Sequence, residues 1–487
     1  MIKNFKKILV CVWALIVVCQ FGVAVSAQPA TSQQPKNIIV LFSDGVTGSQ
    51  WEFGRKTSQL IRQKPFVVTD VVMQRGHFGL MTNYPANSYI TDSAAAASAM
   101  STGFKVNNGA ISVTPDGQRP ATMAQFAKAQ GKRIGLITTA TVYDASPAAF
   151  SVHSQSRRDS ENIVNQYLEL QPDILMGGGA EYFLPKGLNG GKRVDGKNMI
   201  ELFASKGYQI ARQPDDLNTL RGDRLLGLFA NEDLDFEIDR DPKEQPNLAQ
   251  MTAAALKVLT QTSPAGAGVG GKSDNGFFLF VENENTDSAG HQNDVAALMR
   301  DLWAFDDAVQ VALDFQKRHP DTLLIVTGDH ETGGFSPTYA RKTKAPASSG
   351  NEIRVADEQI KFIANFKTSL DEIANKLKVK AKQGADQAAM KLYFAELVKE
   401  GLPGLVIEPE LENLIFENQA VDLNSSYLPG NTLGRLIARQ TGFYWASSGH
   451  TNQPVVVAAI GPGSQLFQGY SDNTDFAKKL QTLIGAK

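Results

Sequence analysis

The chain has 487 residues, 42% hydrophobic and 20% charged, with a formal net charge of −2. That composition excludes a disordered or low-complexity polymer, and the near-neutral balance excludes a broad basic surface for nucleic acid. Both cysteines, Cys11 and Cys19, lie in the first 27 residues, so the rest of the chain has neither disulfides nor thiol chemistry.

The N-terminus reads as an export signal. Lys3, Lys6 and Lys7 precede an apolar run from Ile8 to about Val25, and "VSA" (Val25–Ala27) is a small-residue cleavage site. The polar "QPATSQQPK" that follows favours cleavage over a retained anchor. A periplasmic or secreted protein is expected, with no stable membrane anchor after cleavage. The remainder carries 45 basic against 50 acidic residues.

"NIIVLFSDG" (Asn37–Gly45) is the first of several short apolar runs. "RIGLITTA" (Arg133–Ala140), "FFLFVE" (Phe277–Glu282), "TLLIVTGDHE" (Thr322–Glu331) and "PVVVAAIGPG" (Pro454–Gly463) repeat the pattern. Helical periodicity lies between them, most clearly over Asn293–Pro320. This alternation predicts an α/β fold: a mainly parallel central sheet with helices on both faces. Ligands of such sheets gather at the carboxyl ends of the strands. Residues from about Lys342 to Gln440 break the rhythm with charged amphipathic stretches and read as an inserted helical lobe. "GAGVGGKS" (Gly266–Ser273) matches a phosphate-loop pattern, but a helical stretch precedes it and a strand follows. That is the wrong context, and it reads as a Gly-rich surface loop.

Polar residues of one chemical type end these runs. Asp44 closes the first; Glu282, Asp287 and His291 follow another; Asp329 and His330 follow a third; His450 precedes the last. Asp287 and His291 are four residues apart, so on a helix they face one point. Carboxylates and imidazoles converging there make a metal corner. "TDSAAAASAMSTG" places Ser93 at the mouth of a small-residue helix starting at Ala94, either as a helix signal or as a nucleophile.

The motifs "LFSDG", "TDSAAAASAMSTG", "TATVYDASPAAFSVHSQSR", "ENTDSAGHQND", "VTGDHETGG" and "SSGHTNQPV", in this order, resemble the alkaline phosphatase family from about Asn37 to Lys487. The resemblance implies a phosphate-monoester hydrolase that uses two Zn2+ and one Mg2+ per chain and a phosphoserine on Ser93. It implies Asp287, His291 and His450 as ligands of one zinc. Asp44, Asp329, His330 and Ser93 are implied for the other. Asp44, Asp144, Ser146 and Glu282 are implied for magnesium. Arg157 matches the phosphate clamp and Asp92 the residue that steadies it. The implied partners are small phosphomonoesters; homodimers are common in the family, although no isologous face is legible. Glu284 is an added acid, and Ser288 stands where relatives often carry Trp, His or Lys. A diesterase on the same core is the nearest rival reading. A sulfatase is disfavoured because no Cys- or Ser-x-Pro-x-Arg segment is present. A binding protein without turnover is disfavoured by the intact serine motif.

Overall fold

The structure, a computed structural model, describes residues 34–261, 275–341, 352–417 and 430–485. The expected signal segment and the Gly266–Ser273 loop lie outside these residues, as do 342–351 and 418–429 of the expected lobe.

Ten strands form one sheet. In chain order they are β1 (Asn37–Ser43), β2 (His77–Met81), β3 (Arg133–Thr141), β4 (Ile174–Gly178), β5 (Gln209–Ala211), β6 (Leu225–Leu228), β7 (Phe277–Asn283), β8 (Thr322–Thr327), β9 (Val455–Ile460) and β10 (Gly469–Ser471). Their order across the sheet is β10-β2-β9-β8-β1-β7-β3-β4-β6-β5. The pairs around the centre, β8–β1, β1–β7 and β7–β3, are all parallel. The sheet is thus mainly parallel with helices around it, as the apolar runs predict. β9 is the exception, antiparallel to both β2 and β8.

The continuous apolar runs have a direct physical cause. Successive strand residues point to opposite faces, and here both faces are covered. On β1, Ile39 and Leu41 enter one apolar cluster while Ile38, Val40 and Phe42 enter the other. β7 repeats this with Leu279 and Val281 against Phe278 and Phe280. Each such buried side chain contributes about 1.5–3 kcal/mol. The long helix Val295–Arg318 covers the first face with Leu298, Leu302, Phe305 and Val309.

Between β8 and β9 the chain forms helices Asp357–Ala364, Leu370–Lys382, Gln387–Gly401, Pro409–Phe416 and Gly430–Thr441. Their apolar residues, among them Ile363, Ile373, Phe394 and Leu436, join the cluster on the first face.

The parallel register sets the functional end of the sheet. Phe42 on β1 pairs with Glu282 on β7 and with Thr327 on β8. Asp44, Glu282 and Asp329 therefore emerge together from the carboxyl ends of three adjacent strands.

Candidate active site

Four short pieces of backbone bring the remaining groups to this end. Helix Asn285–Gln292 follows β7 and carries Asp287 and His291 one turn apart. A loop after β8 presents Asp329 and His330. The two-residue strand His450–Thr451 pairs antiparallel with Glu331–Thr332 and delivers His450. Helix Ser93–Thr102 delivers Ser93, and all of its residues are buried. Its small side chains let it pack closely against the helices Asn473–Gly485 and Ala145–Ala149.

This helix answers the question raised by its sequence. Its cap is Asp92, whose Oδ1 accepts from the Ala95 N–H at 2.9 Å. Ser93 is the first helical residue, one position earlier than the expected start at Ala94. Its hydroxyl is therefore released from capping and lies 3.1 Å from His330 Nε2. Oδ2 of Asp92 also accepts from Gly109 N at 2.8 Å and lies 3.7 Å from Arg157 Nη1. Asp92→Ala is expected to cost about 1 kcal/mol of stability, the usual scale for a lost cap. It should also raise KM for a phosphate ester, because Arg157 loses a carboxylate beside it. Thermal unfolding and steady-state kinetics check the two effects separately.

The three histidines share one design. His291 Nδ1–H donates to Ser448 O at 2.6 Å, and His450 Nδ1–H donates to Thr91 O at 2.8 Å. His330 Nδ1 lies 3.2 Å from the Thr332 hydroxyl, which itself donates a short bond to Asp287 Oδ1 and so accepts from the imidazole. Each ring is fixed in the tautomer that turns a bare Nε2 inward. Nε2 of His291 and Nε2 of His450 face each other at 3.0 Å, and Asp287 Oδ2 lies 3.0 Å from His291 Nε2. Around His330 Nε2 stand Ser93 Oγ, Asp329 Oδ2 at 3.2 Å and Asp44 Oδ1 at 3.5 Å. Ligands on a tetrahedral zinc stand about 3.3 Å apart, given bonds of about 2.0–2.1 Å. Two lone pairs meeting at 3.0 Å repel unless a proton or a metal cation lies between them.

The carboxylates show the same need. Asp44 Oδ1, Glu282 Oε1 and Asp329 Oδ2 are buried without a hydrogen-bond partner. Burial, reinforced by neighbouring carboxylates, raises the pKa of Asp44 well above its usual value. Burial lifts Glu282 to about 8 and Asp329 to about 7. Asp287 goes the other way: burial opposes its charge, but His291, His450 and His330 around it hold it far below the usual range. Burial lowers His330 and His450, which suits neutral ligands, whereas His291 is raised: burial opposes its charge but the Asp287 carboxylate beside it outweighs that. Among the described residues, Asp287, His330 and His450 form one potential metal-binding group, and Asp44, Asp329 and His330 another.

The residues implied for magnesium are placed less uniformly. Ser146 Oγ lies 3.4 Å from Asp44 Oδ2. Glu282 Oε2 accepts from the Thr138 hydroxyl at 2.6 Å. Asp144 begins the helix Ala145–Ala149, with its carboxylate engaged by Arg157 Nη2 at 3.1 Å. A cavity of about 950 Å³ opens over Ser93, Arg157, Asp144, Asp287, His291 and His450. The other histidines lie elsewhere: His77 meets Ser464, His153 meets Pro120 O, and His319 stacks on Phe315. Sequence reasoning missed Thr332 and Thr138, together with the carbonyls of Thr91 and Ser448. A carbonyl that orients an imidazole has no side-chain signature; only the hydroxyl after "DHE" could have been found.

The family model for alkaline phosphatase matches residues 35–485. Alkaline phosphatase 3 of Bacillus subtilis is 31% identical over 98% of this chain and 97% of its own length. The crystal structure of Thermus thermophilus alkaline phosphatase superposes with a TM-score of 0.80 at 28% identity, over 94% of each chain. That of the cold-active alkaline phosphatase from a Shewanella species gives 0.73 at 31%, over 92% of this chain and 99% of that one. The chain belongs to the alkaline phosphatase family. It is a phosphoric monoester hydrolase of a metal-dependent family, and its described residues include candidate metal-ligand groups. No helix among the described residues is long and apolar enough to cross a membrane.

Proposed function

We propose that the protein is an exported phosphomonoesterase that works through a phosphoserine on Ser93 and uses two zinc ions and one magnesium ion. The observation that carries this reading is the placement of Ser93 Oγ, 3.1 Å from a tautomer-fixed His330 Nε2 that Asp44 and Asp329 also face. Asp287, His291 and His450 would hold one zinc; Asp44, Asp329, His330 and Ser93 the other. Asp44, Ser146, Glu282 and Asp144 would hold magnesium, whose preference is for oxygen ligands. Bound there, the ions supply Lewis-acid stabilisation of charged oxygens and lower the pKa of hydroxyl groups near them.

The chain's own residues do the rest. Arg157 gives two parallel hydrogen bonds to phosphate oxygens, a fork that lysine lacks. Asp92 and Asp144 flank its guanidinium and aim it. The N-terminus of the helix that begins at Ser93 offers backbone N–H donors and favourable potential for the same anion. Ser93 Oγ gives up its proton to solvent and attacks phosphorus, the P–O bond to the leaving alcohol breaks, and the alkoxide takes a proton from solvent. Water then attacks the phosphoserine, freeing Ser93 and inorganic phosphate. The buried carboxylates and fixed imidazoles keep this geometry between the two steps. The basic start and apolar run before "VSA" support export to the periplasm or medium.

Native mass spectrometry should find about two zinc ions and one magnesium ion on each chain. Hydrolysis of an aryl phosphate monoester should exceed that of the matching diester. A protein that binds no zinc and hydrolyses the monoester normally would overturn the reading, and faster hydrolysis of the diester would favour the rival.

A further inference from the structure

The motif "TGDHETGG" contains more than two ligands. Glu331, next to His330, is fully buried. Its carboxylate accepts four hydrogen bonds: Oε1 from Gln50 Nε2 at 2.6 Å and Phe335 N at 3.0 Å, Oε2 from Gly334 N at 3.0 Å and the Thr451 hydroxyl at 2.6 Å. Burying a carboxylate is costly unless such donors surround it. No described donor to Glu331 is a cation, so the arrangement is not an ion pair. It is a four-way junction of neutral donors around one charge.

The four donors come from three segments: Gln50, Thr451 and the adjacent Gly334 and Phe335. Gln50 lies in the first turn of helix Gly48–Thr57, which follows Asp44 by a few residues, and it closes a capping box with Thr47. Thr451 follows His450, and the register sets Thr451 opposite Glu331 and His450 opposite Thr332. Gly334 and Phe335 fold back over Glu331 through a turn with positive φ at Gly333 (85°) and Gly334 (60°). Any side chain at either glycine would also collide: a Cβ at Gly333 would lie 2.5 Å from the Trp445 ring, and one at Gly334 2.6 Å from Ala446 Cβ. The two glycines thus let backbone N–H groups reach the carboxylate.

We infer that Glu331 is a positioning residue that ties the segments bearing Asp44, His330 and His450 into one ligand cage, and thereby sets the zinc affinity of this protein. It touches neither substrate nor the reacting atoms. This inference rests on the metal reading above. Glu331→Gln keeps the size but turns one acceptor into a donor, facing either the Gln50 and Phe335 donors or the Gly334 and Thr451 donors. Groups in this outer position typically change metal affinity about 10–100-fold.

The test is competition of wild-type and variant proteins against a chromophoric chelator, reading zinc transfer rather than turnover, with circular dichroism to establish folding. Glu331→Gln should release zinc at chelator concentrations at least about tenfold lower than wild type. Thr451→Val should shift release in the same direction, and Thr451→Ser, which keeps the hydroxyl, should restore it. If Glu331→Gln does not fold, the Thr451 pair decides alone. Folded Glu331→Gln with wild-type zinc retention would overturn the inference, as would Thr451→Val and Thr451→Ser behaving alike. Wild-type protein that holds no zinc would instead sink the metal reading on which the inference stands.

Discussion

Ser93→Ala is expected to lower turnover of an aryl phosphate at least a hundredfold, about 2.7 kcal/mol of barrier, with little change in the stability of the metal-free protein. The two halves of this expectation have separate causes. Asp92 caps the helix, so removing the Ser93 hydroxyl strips no cap, and alanine is the best helix former. What is lost is the oxygen 3.1 Å from His330 Nε2 that would bond to phosphorus. Residual hydrolysis by water is expected, because Arg157 and the helix terminus still hold the phosphate. Thermal unfolding paired with kcat distinguishes this from a helix-start role, which would cost about 1 kcal/mol of stability and spare turnover.

Removing metal should abolish activity and also make stability fall as pH rises. In the metal-free protein, Glu282 and Asp329 titrate near 8 and 7, against ordinary values of 4.5 and 3.8. Asp44 moves in the same direction. Between the ordinary and the raised values the folded state binds more protons than the unfolded state, so stability falls as pH rises. The contribution of these groups is complete below about pH 4 and is lost progressively up to about pH 8. Bound cations would favour the charged carboxylates and remove this slope. His330 and His450, lowered by burial, contribute the opposite slope below about pH 6.5, so melting temperature measured from about pH 6.5 to 8, with and without chelator, checks it. The chelated protein should lose stability across that range relative to the loaded one, and activity should return with zinc and magnesium. Parallel curves would contradict the assignment of these carboxylates to metal.

The centre of the fold was legible in the sequence because its strands are buried on both faces. Asn37–Ser43, Phe277–Asn283 and Thr322–Thr327 read as unbroken apolar runs for that reason. The margins were not legible. Gln209–Ala211 and Gly469–Ser471 have three residues each, and His77–Met81 mixes exposed with buried positions, so no period emerges. The antiparallel course of Val455–Ile460 leaves no mark on its composition. The candidate ligands could be named because they close apolar runs where polar residues are otherwise unexpected. Glu331 stayed hidden: a lone glutamate reads as a surface charge, and its two side-chain donors, Gln50 and Thr451, come from distant stretches of chain while the other two are nearby backbone N–H groups. Thr91 and Ser448 act through backbone carbonyls, which any residue possesses.

Trapping the covalent intermediate tests the central claim most directly. Wild-type protein, metal-loaded and quenched in acid during turnover of a phosphate monoester, should yield one phosphoryl group on the peptide that contains Ser93. Acid strips the metals and preserves the phosphoserine. Ser93→Ala, treated identically, should carry no label there. Full turnover of wild-type protein with no trapped phosphoryl group, together with normal activity in Ser93→Ala, would contradict the covalent mechanism.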